Sequence, residues 1–212
     1  VPDVANKPII LTTGVDANAN TLQVDANASL TINSLRTLTV VDKITVAGSG
    51  ILTFEDQSSL VQTTNATNTG AIEYRRKSAA MKNFDYTYWS SPVTGQNIVA
   101  LSPNTLADKY FRFNGAKDDW DLYNNPTTST MIPGVGYIIR TPKEGNPWPN
   151  GEIVSFPYSQ PVAFKGTPNN GNYSFLAGAN ELNLIGNPYP SAIDADLFIT
   201  NPNNANMING AL

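Results

Sequence analysis

Leu22-Gln-Val24, Leu30-Thr-Ile32, Leu38-Thr-Val40, Ile44-Thr-Val46, Leu52-Thr-Phe54 and Leu60-Val-Gln62 form a series of apolar-x-apolar steps, the last of which has lost its second apolar residue. Adding 22 to the starting positions 22, 30 and 38 gives 44, 52 and 60. Alternation within each step is the period of a β-strand. A fixed offset between three short strands predicts two coils of a parallel β-solenoid, each strand stacked on its counterpart one coil away with the leading Leu or Ile turned inward. The spacers agree: Asp25-Ala-Asn-Ala-Ser29 and Glu55-Asp-Gln-Ser-Ser59 are small polar corners, and Gly48-Ser-Gly50 is a sharper break. Such coils bury a narrow apolar core under flat polar faces and carry no chemistry of their own.

Working outward, the rest of the chain is also rich in turns. It has 212 residues, 41% of them apolar but only 14% charged, with 15 Gly and 15 Pro. Asn, Ser and Thr supply the polarity, and they compete with helical backbone bonds while Gly and Pro break helices. The composition predicts an all-β protein of many short strands. Net charge is −4, and the only basic cluster is Arg75-Arg76-Lys77. A nucleic-acid groove needs many converging cations, so that class is set aside. The cluster reads as a solvated strand end in preference to a phosphate or sulfate site. There is no Cys and no His, which removes thiol chemistry, disulfides, the commonest general base and the commonest transition-metal ligand. No run approaches the apolar length of a membrane span, so no membrane insertion is expected.

Residues 1–66 are read as the solenoid coils, with Pro8-Ile-Ile-Leu-Thr12 as a lead-in strand, and 67–212 as an antiparallel β-sandwich of about eight strands. The polar run Thr63-Thr-Asn-Ala-Thr-Asn-Thr-Gly70 is either the boundary or a wide corner of the solenoid. Beyond it, Phe84-x-Tyr86-x-Tyr88 alternates as a strand whose rings are expected to fill the core. Tyr110-Phe-Arg-Phe113 and Trp120-Asp-Leu-Tyr123 flank a hairpin turn. Ile153-Val-Ser-Phe156 and Leu182-Asn-Leu-Ile185 read as further strands, and Asp194 as the N-cap of a short helical turn. Asn201 to Leu212 are nearly all turn formers with no closing strand, so the second domain reads as truncated at its C-terminus.

Four strings carry a resemblance: Asp85-Tyr-Thr-Tyr-Trp-Ser-Ser-Pro92, Leu106-Ala-Asp-Lys-Tyr110, Pro133-Gly-Val-Gly-Tyr-Ile-Ile139 and Asn183-Leu-Ile-Gly-Asn-Pro-Tyr-Pro-Ser-Ala-Ile-Asp194. Together with Leu52-Thr-Phe-Glu-Asp-Gln-Ser-Ser-Leu-Val-Gln62, they resemble a module of very large cell-surface proteins of gliding, flavobacterial-type bacteria. The resemblance implies an extracellular place on the bacterial surface, export by the type IX secretion system, and roles in adhesion or surface motility. Its partners would be a surface glycan or another cell-surface protein, besides the secretion machinery.

Two groups of residues invite a functional reading. Trp148 stands in Asn146-Pro-Trp-Pro-Asn150, where a Trp between prolines in a loop is expected to be exposed. Its ring would stack on a sugar while Asn146 and Asn150 bond to hydroxyl groups. Asp118, Asp119 and Asp121 bracket the hairpin turn and would supply part of a calcium shell, although a solvated turn is the plainer reading. No cofactor is expected otherwise, calcium being left open. Ser90 and Ser91 lack a nucleophile-elbow frame, and without His the usual triad is impossible. Asn187-Pro-Tyr-Pro-Ser191 and Ser90-Ser-Pro92 read as rigid structural turns, with a cis bond left open at Pro188 or Pro190. The sequence therefore predicts a non-enzymatic extracellular module for adhesion, display or motility. The alternative is a carbohydrate-binding module appended to a polysaccharide-degrading enzyme, which an exposed row of Trp and Tyr on one sheet would favour.

Overall fold

The computed structural model describes residues 1–11 and 13–204; Thr12 and residues 205–212, the end of the Asn-rich tail and of the expected truncation, lie outside the described residues. The protein is nearly all β, with 34% strand and 5% helix. Fifteen strands are described. Those of the first part are β1 (Ile9–Ile10), β2 (Ala17–Ala19), β3 (Leu22–Val24), β4 (Ser29–Ile32), β5 (Thr37–Val40), β6 (Ile44–Val46), β7 (Ile51–Phe54) and β8 (Ser59–Gln62). The second part holds β9 (Ile72–Lys77), β10 (Tyr86–Trp89), β11 (Val93–Thr94), β12 (Tyr110–Asn114), β13 (Asp119–Leu122), β14 (Tyr137–Arg140) and β15 (Pro161–Pro168), with the short helices α1 (Ile98–Leu101) and α2 (Ala195–Thr200).

The first eight strands pair in parallel as three columns. Leu22 lies opposite Ile44, Leu30 opposite Leu52, and Leu38 opposite Leu60, each pair 22 residues apart. Alternation sends Leu30, Leu38, Ile44, Leu52 and Leu60 inward, all buried, while Leu22 is only half-buried. Turns between the strands recur at the same offset. The Ala28 N–H donates to Asp25 O and the Gly50 N–H to Ala47 O, and 22 residues separate the two acceptors. Asn27 and Gln57 take the left-handed conformation that these corners need, which Asn tolerates well and Gln less so. An earlier layer, β1 on β4 and β2 on β5, was not visible as a repeat because Ala17-Asn-Ala19 carries no large apolar residue.

The Thr63–Gly70 run stays within the stack. Thr69 bridges Thr45 in parallel, and the Val46 N–H donates to Thr69 O at 2.8 Å. Gly70 passes so close to β6 that a Cβ there would stand 2.0 Å from Val46 O. The missing apolar residue at Gln62 also has a reason. Its amide exchanges hydrogen bonds with buried Asn68 at 2.7 and 3.0 Å, and Asn68 accepts from the Ile44 N–H at 2.9 Å.

β9 adds in parallel to β7, then β15 pairs antiparallel with β9 and β11 with β15, giving a six-stranded sheet in the order β1-β4-β7-β9-β15-β11. That sheet crosses residue 66, and one apolar cluster holds residues from both sides of it. A second, antiparallel sheet runs β10-β14-β12-β13. The expected hairpin is β12–β13, with Phe113 opposite Trp120. Residues 153–156 and 182–185 do not form strands; they make single bridges, Ile153 to Pro147 and Ile185 to Val135. The cis bond is at Phe156–Pro157, not at Pro188 or Pro190. Asp194 caps α2, accepting from the Leu197 N–H.

Leu52 is 1% exposed. Leu52→Ala is expected to cost about 2–5 kcal/mol in urea unfolding, from lost burial plus the cavity left in a rigid column. A loss near that of an exposed site such as Val15→Ala would contradict the inward column.

Candidate functional site

Strand β10 decides where the aromatic surface lies. Trp89 turns inward, its ring 6.0 Å from Phe164 in an edge contact. Its neighbours in alternation, Tyr86 and Tyr88, must then face outward, at 40% and 65% exposure. This corrects the expectation that Phe84, Tyr86 and Tyr88 fill the core; Phe84 is 64% exposed. Directly opposed residues share a face. Tyr88 opposes Ile138, Ile138 opposes Phe111, and Phe111 opposes Leu122, so one row crosses the whole four-stranded sheet. Phe113 and Trp120 continue it with rings 5.2 Å apart, Tyr86 lies 6.1 Å from Phe111, and Arg140 sits over the Phe84 ring at 5.0 Å. The outer face of this sheet is thus a band of aromatic and aliphatic side chains.

Trp148 is buried, at 6% exposure, which corrects the expectation of an exposed ring. The loop closes as a small hairpin. The Trp148 N–H donates to Glu152 O and the Gly151 N–H to Trp148 O, each at 2.7 Å, while Asn104 Nδ2 donates to Pro147 O. That closure turns the ring into the wall of an open groove of about 840 Å3, beside Leu101 and Pro103. Asn150 also lines the groove; Asn146 is exposed and does not. The groove's charges are largely paired among themselves. Arg75 bonds Glu55 and Glu73 at 2.8 and 2.6 Å, and Lys165 reaches Glu73 at 3.1 Å. Burial works against the Glu73 carboxylate, but its bonds from Arg75 and Lys165 outweigh that and hold its pKa below the usual range.

Asp118, Asp119 and Asp121 lie at the β12–β13 turn. Asp121 accepts from Asn114 Nδ2 at 2.6 Å and Lys117 Nζ at 2.8 Å, and the Lys117 hydrogen bond lowers its pKa. Asp119 accepts from the Trp120 N–H at 2.7 Å. Among the described residues no group of three or more Asp, Glu, His or Cys is placed to hold a metal ion.

The two rigid strings converge. Buried Asn169 donates to Ser91 O at 3.1 Å and Pro188 O at 2.9 Å, and accepts from Thr94 Oγ1 at 2.8 Å. Tyr189 donates its hydroxyl to Gly171 O at 2.7 Å. Between these strings and the stack lies a cavity of about 390 Å3. Arg76 lines it, and is not the solvated strand end expected for its cluster. Its Nη1 donates to Glu55 O at 3.1 Å, its Nη2 to Ser58 O, and its guanidinium lies 3.6 Å from the Tyr74 ring centre. Sequence reasoning missed this residue because nothing in Arg75-Arg76-Lys77 tells the inward cation from the outward two, except alternation with buried Tyr74.

Fold and surfaces together define a nearly all-β protein with stacked parallel columns and an aromatic sheet face. The chain belongs to the family described as a domain of unknown function, DUF8693, whose model matches residues 1–212. No curated protein and no solved structure shows a match. Among the described residues, no helix is long and apolar enough to cross a membrane.

Asn169→Ala leaves two carbonyls and a hydroxyl without their partner, so a loss of about 2–3 kcal/mol is expected in urea unfolding. Asn83→Ala at an exposed turn serves as the comparison, and equal losses would show that Asn169 has no special place.

Proposed function

We propose that the chain is a non-enzymatic extracellular module of a bacterial cell-surface protein, serving attachment, display or surface motility. In this reading residues 1–66 are a short β-solenoid that passes into an antiparallel β-sandwich over 67–212. The parallel pairs at the 22-residue offset support the first half of that description. The two antiparallel groups, β9-β15-β11 and β10-β14-β12-β13, support the second. The resemblance of the four strings to gliding-type surface proteins supports the location and the type IX export route.

The observation that carries the attachment role is the outer face of the β10–β13 sheet. Tyr88 at 65% and Leu122 at 52% exposure stand at the two ends of one row whose middle is half-buried Phe111 and Ile138 at 9%. Exposed apolar patches on soluble β-proteins mark contact surfaces more often than they mark accidents of composition. The partner is a surface glycan or another cell-surface protein, and no cofactor is needed. The same face favours a second reading, a carbohydrate-binding module appended to a polysaccharide-degrading enzyme, because flat rings stack on sugar rings.

Antibody raised against the chain is expected to label intact cells of the source bacterium as strongly as permeabilised ones; labelling that needs permeabilisation would refute the surface location. The purified chain is expected to sediment with insoluble β-glucan or chitin, and Tyr88→Ala with Trp120→Ala to lose about tenfold in affinity, from about 1–1.5 kcal/mol of lost ring contact. Sedimentation unchanged by both substitutions would remove the aromatic face from the attachment role.

A further inference from the structure

Strand β10 is the outermost strand of its sheet, and its free edge lacks the usual guards. The order β10-β14-β12-β13 gives it one neighbour, β14. The Thr141 N–H donates to Asp85 O at 2.9 Å, so the backbone groups of Asp85 point toward β14. Backbone direction alternates along a strand. Those of Thr87 and Trp89 therefore also face β14, while the N–H and C=O of Tyr86 and Tyr88 point away from it. Among the described residues, none of these outward groups has a partner.

Such edges are normally blunted by charge, proline, a bulge or brevity. At the opposite edge of the same sheet, β13 carries Asp119 and Asp121, and Asp119 takes the outward Trp120 N–H at 2.7 Å. At the end of the six-stranded sheet, β11 has two residues. β10 reads Tyr-Thr-Tyr-Trp, with no charge, Pro or Gly and with residue types that favour strands. An unguarded edge accepts another strand, and the residues along this one fit a second copy of themselves. Tyr86-Thr87-Tyr88 reads the same in both directions. In an antiparallel pair of two copies centred on Thr87, Tyr86 of each opposes Tyr88 of the other, and each Tyr–Tyr pair exchanges both its N–H···O bonds. Aromatic pairs and Thr–Thr pairs are both favourable across strands. Asp85 falls opposite Trp89 of the second copy and not opposite itself, and its carboxylate is turned back to the Lys82 N–H at 2.7 Å. No like charges meet.

We propose that β10 is a self-association edge, along which two copies of the chain pair antiparallel about a two-fold axis through Thr87. The two four-stranded sheets then become one continuous sheet, and the two outer aromatic faces join on one side of it. The contact is small and belongs to the weak class of interfaces, below about 1,200 Å2, so the pair is expected to form at roughly 10–500 µM chain. The pairing uses the backbone of the edge and needs no glycan. A monomeric chain therefore leaves the sedimentation test of the aromatic face standing, and failure of that test leaves the pair standing.

Sedimentation equilibrium of the whole chain across that concentration range tests it, with the average mass expected to rise from one chain toward two and stop there. A single-chain mass throughout, or a mass that climbs past two, would overturn the closed pair. The register has its own test. The chain has no Cys, so Thr87→Cys adds one thiol, at the non-hydrogen-bonded position on the axis where side chains stand closest. Under mild oxidant it is expected to cross-link to itself at least about tenfold faster than Asn83→Cys on an exposed turn, because pairing raises the effective concentration of the two thiols. Equal rates would place any contact elsewhere and overturn the proposal. Thr87→Lys and Thr87→Glu are each expected to stay monomeric, and their equimolar mixture to regain the pair, since like charges directly opposed repel and unlike ones attract. Pairing by either variant alone, or none in the mixture while both keep the parent melting temperature, would also overturn it. If the Thr87 variants do not fold, Tyr88→Pro decides. Proline there removes an outward donor without taking a bond from β14, and a pair that persists in that variant would refute the edge.

Discussion

A stack of parallel strands must end somewhere, and its open edge presents unpaired N–H and C=O groups that cost free energy if buried and invite foreign strands if exposed. The later part of this chain is arranged around that constraint, and it answers each column differently. The column β1-β4-β7 is closed by β9. The column β2-β5-β8 is met at Leu60, whose N–H donates to Pro190 O at 2.8 Å. The column β3-β6 is met by Thr69 and by the Asn68 side chain, which takes the Ile44 N–H. A proline carbonyl is apt for the second task, because the residue has no N–H of its own to leave unmatched.

These closures explain why a chain so poor in charge is so rich in asparagine. Asn68, Asn169 and Asn170 each tie one segment to another far along the chain: Asn68 donates to Pro168 O at 2.9 Å, and Asn170 to Thr64 O and Ala66 O, both at 2.8 Å. An amide carries donors and an acceptor together, so one side chain can satisfy a carbonyl and an N–H that cannot meet directly. A charged group in Asn68's place would bring a desolvation cost several times larger. Arg76 is the exception, a half-buried cation whose guanidinium is held by carbonyls.

The parts of the fold that were legible in sequence are those where one residue type has one use. The offset of 22 could be read because only the inward positions of the coils need large aliphatic side chains. The β12–β13 hairpin could be read because its turn is polar and its flanks are aromatic. Legibility failed where a residue serves two environments. Ala17-Asn-Ala19 pairs with β5 and packs only two methyl groups against the core. Phe84, Tyr86 and Tyr88 alternate as a core strand would, yet alternation defines a face without saying which face is buried. Trp148 looked exposed because prolines flank it, but the hydrogen bonds that close its hairpin decide the direction of the ring. The cavity around Arg76 depends on residues from 57 to 192, a separation that no local pattern encodes.

Strand β10 divides the outer aromatic face from the interior, and its register is therefore consequential. Tyr86 and Tyr88 stand on the outer face while Trp89, the next residue, lines the inner cavity. A slip of one residue would exchange them and empty both surfaces. Two close approaches at the end of this sheet oppose such a slip. A Cβ on Gly136 would stand 2.5 Å from Leu184 Cγ, and one on Gly186 would stand 2.3 Å from Ser90 Cβ. Leu184 can lie against β14, and the Gly186 backbone against Ser90, only because those two positions carry no side chain. The string from Leu184 to Ser191 thus closes the Leu60 edge of the stack through Pro190, is tied to β11 through Asn169, and fixes the register of β10 through Gly186. Its rigidity is what lets one strand present tyrosine rings to solvent on one side and pack the Trp89 ring on Phe164 on the other.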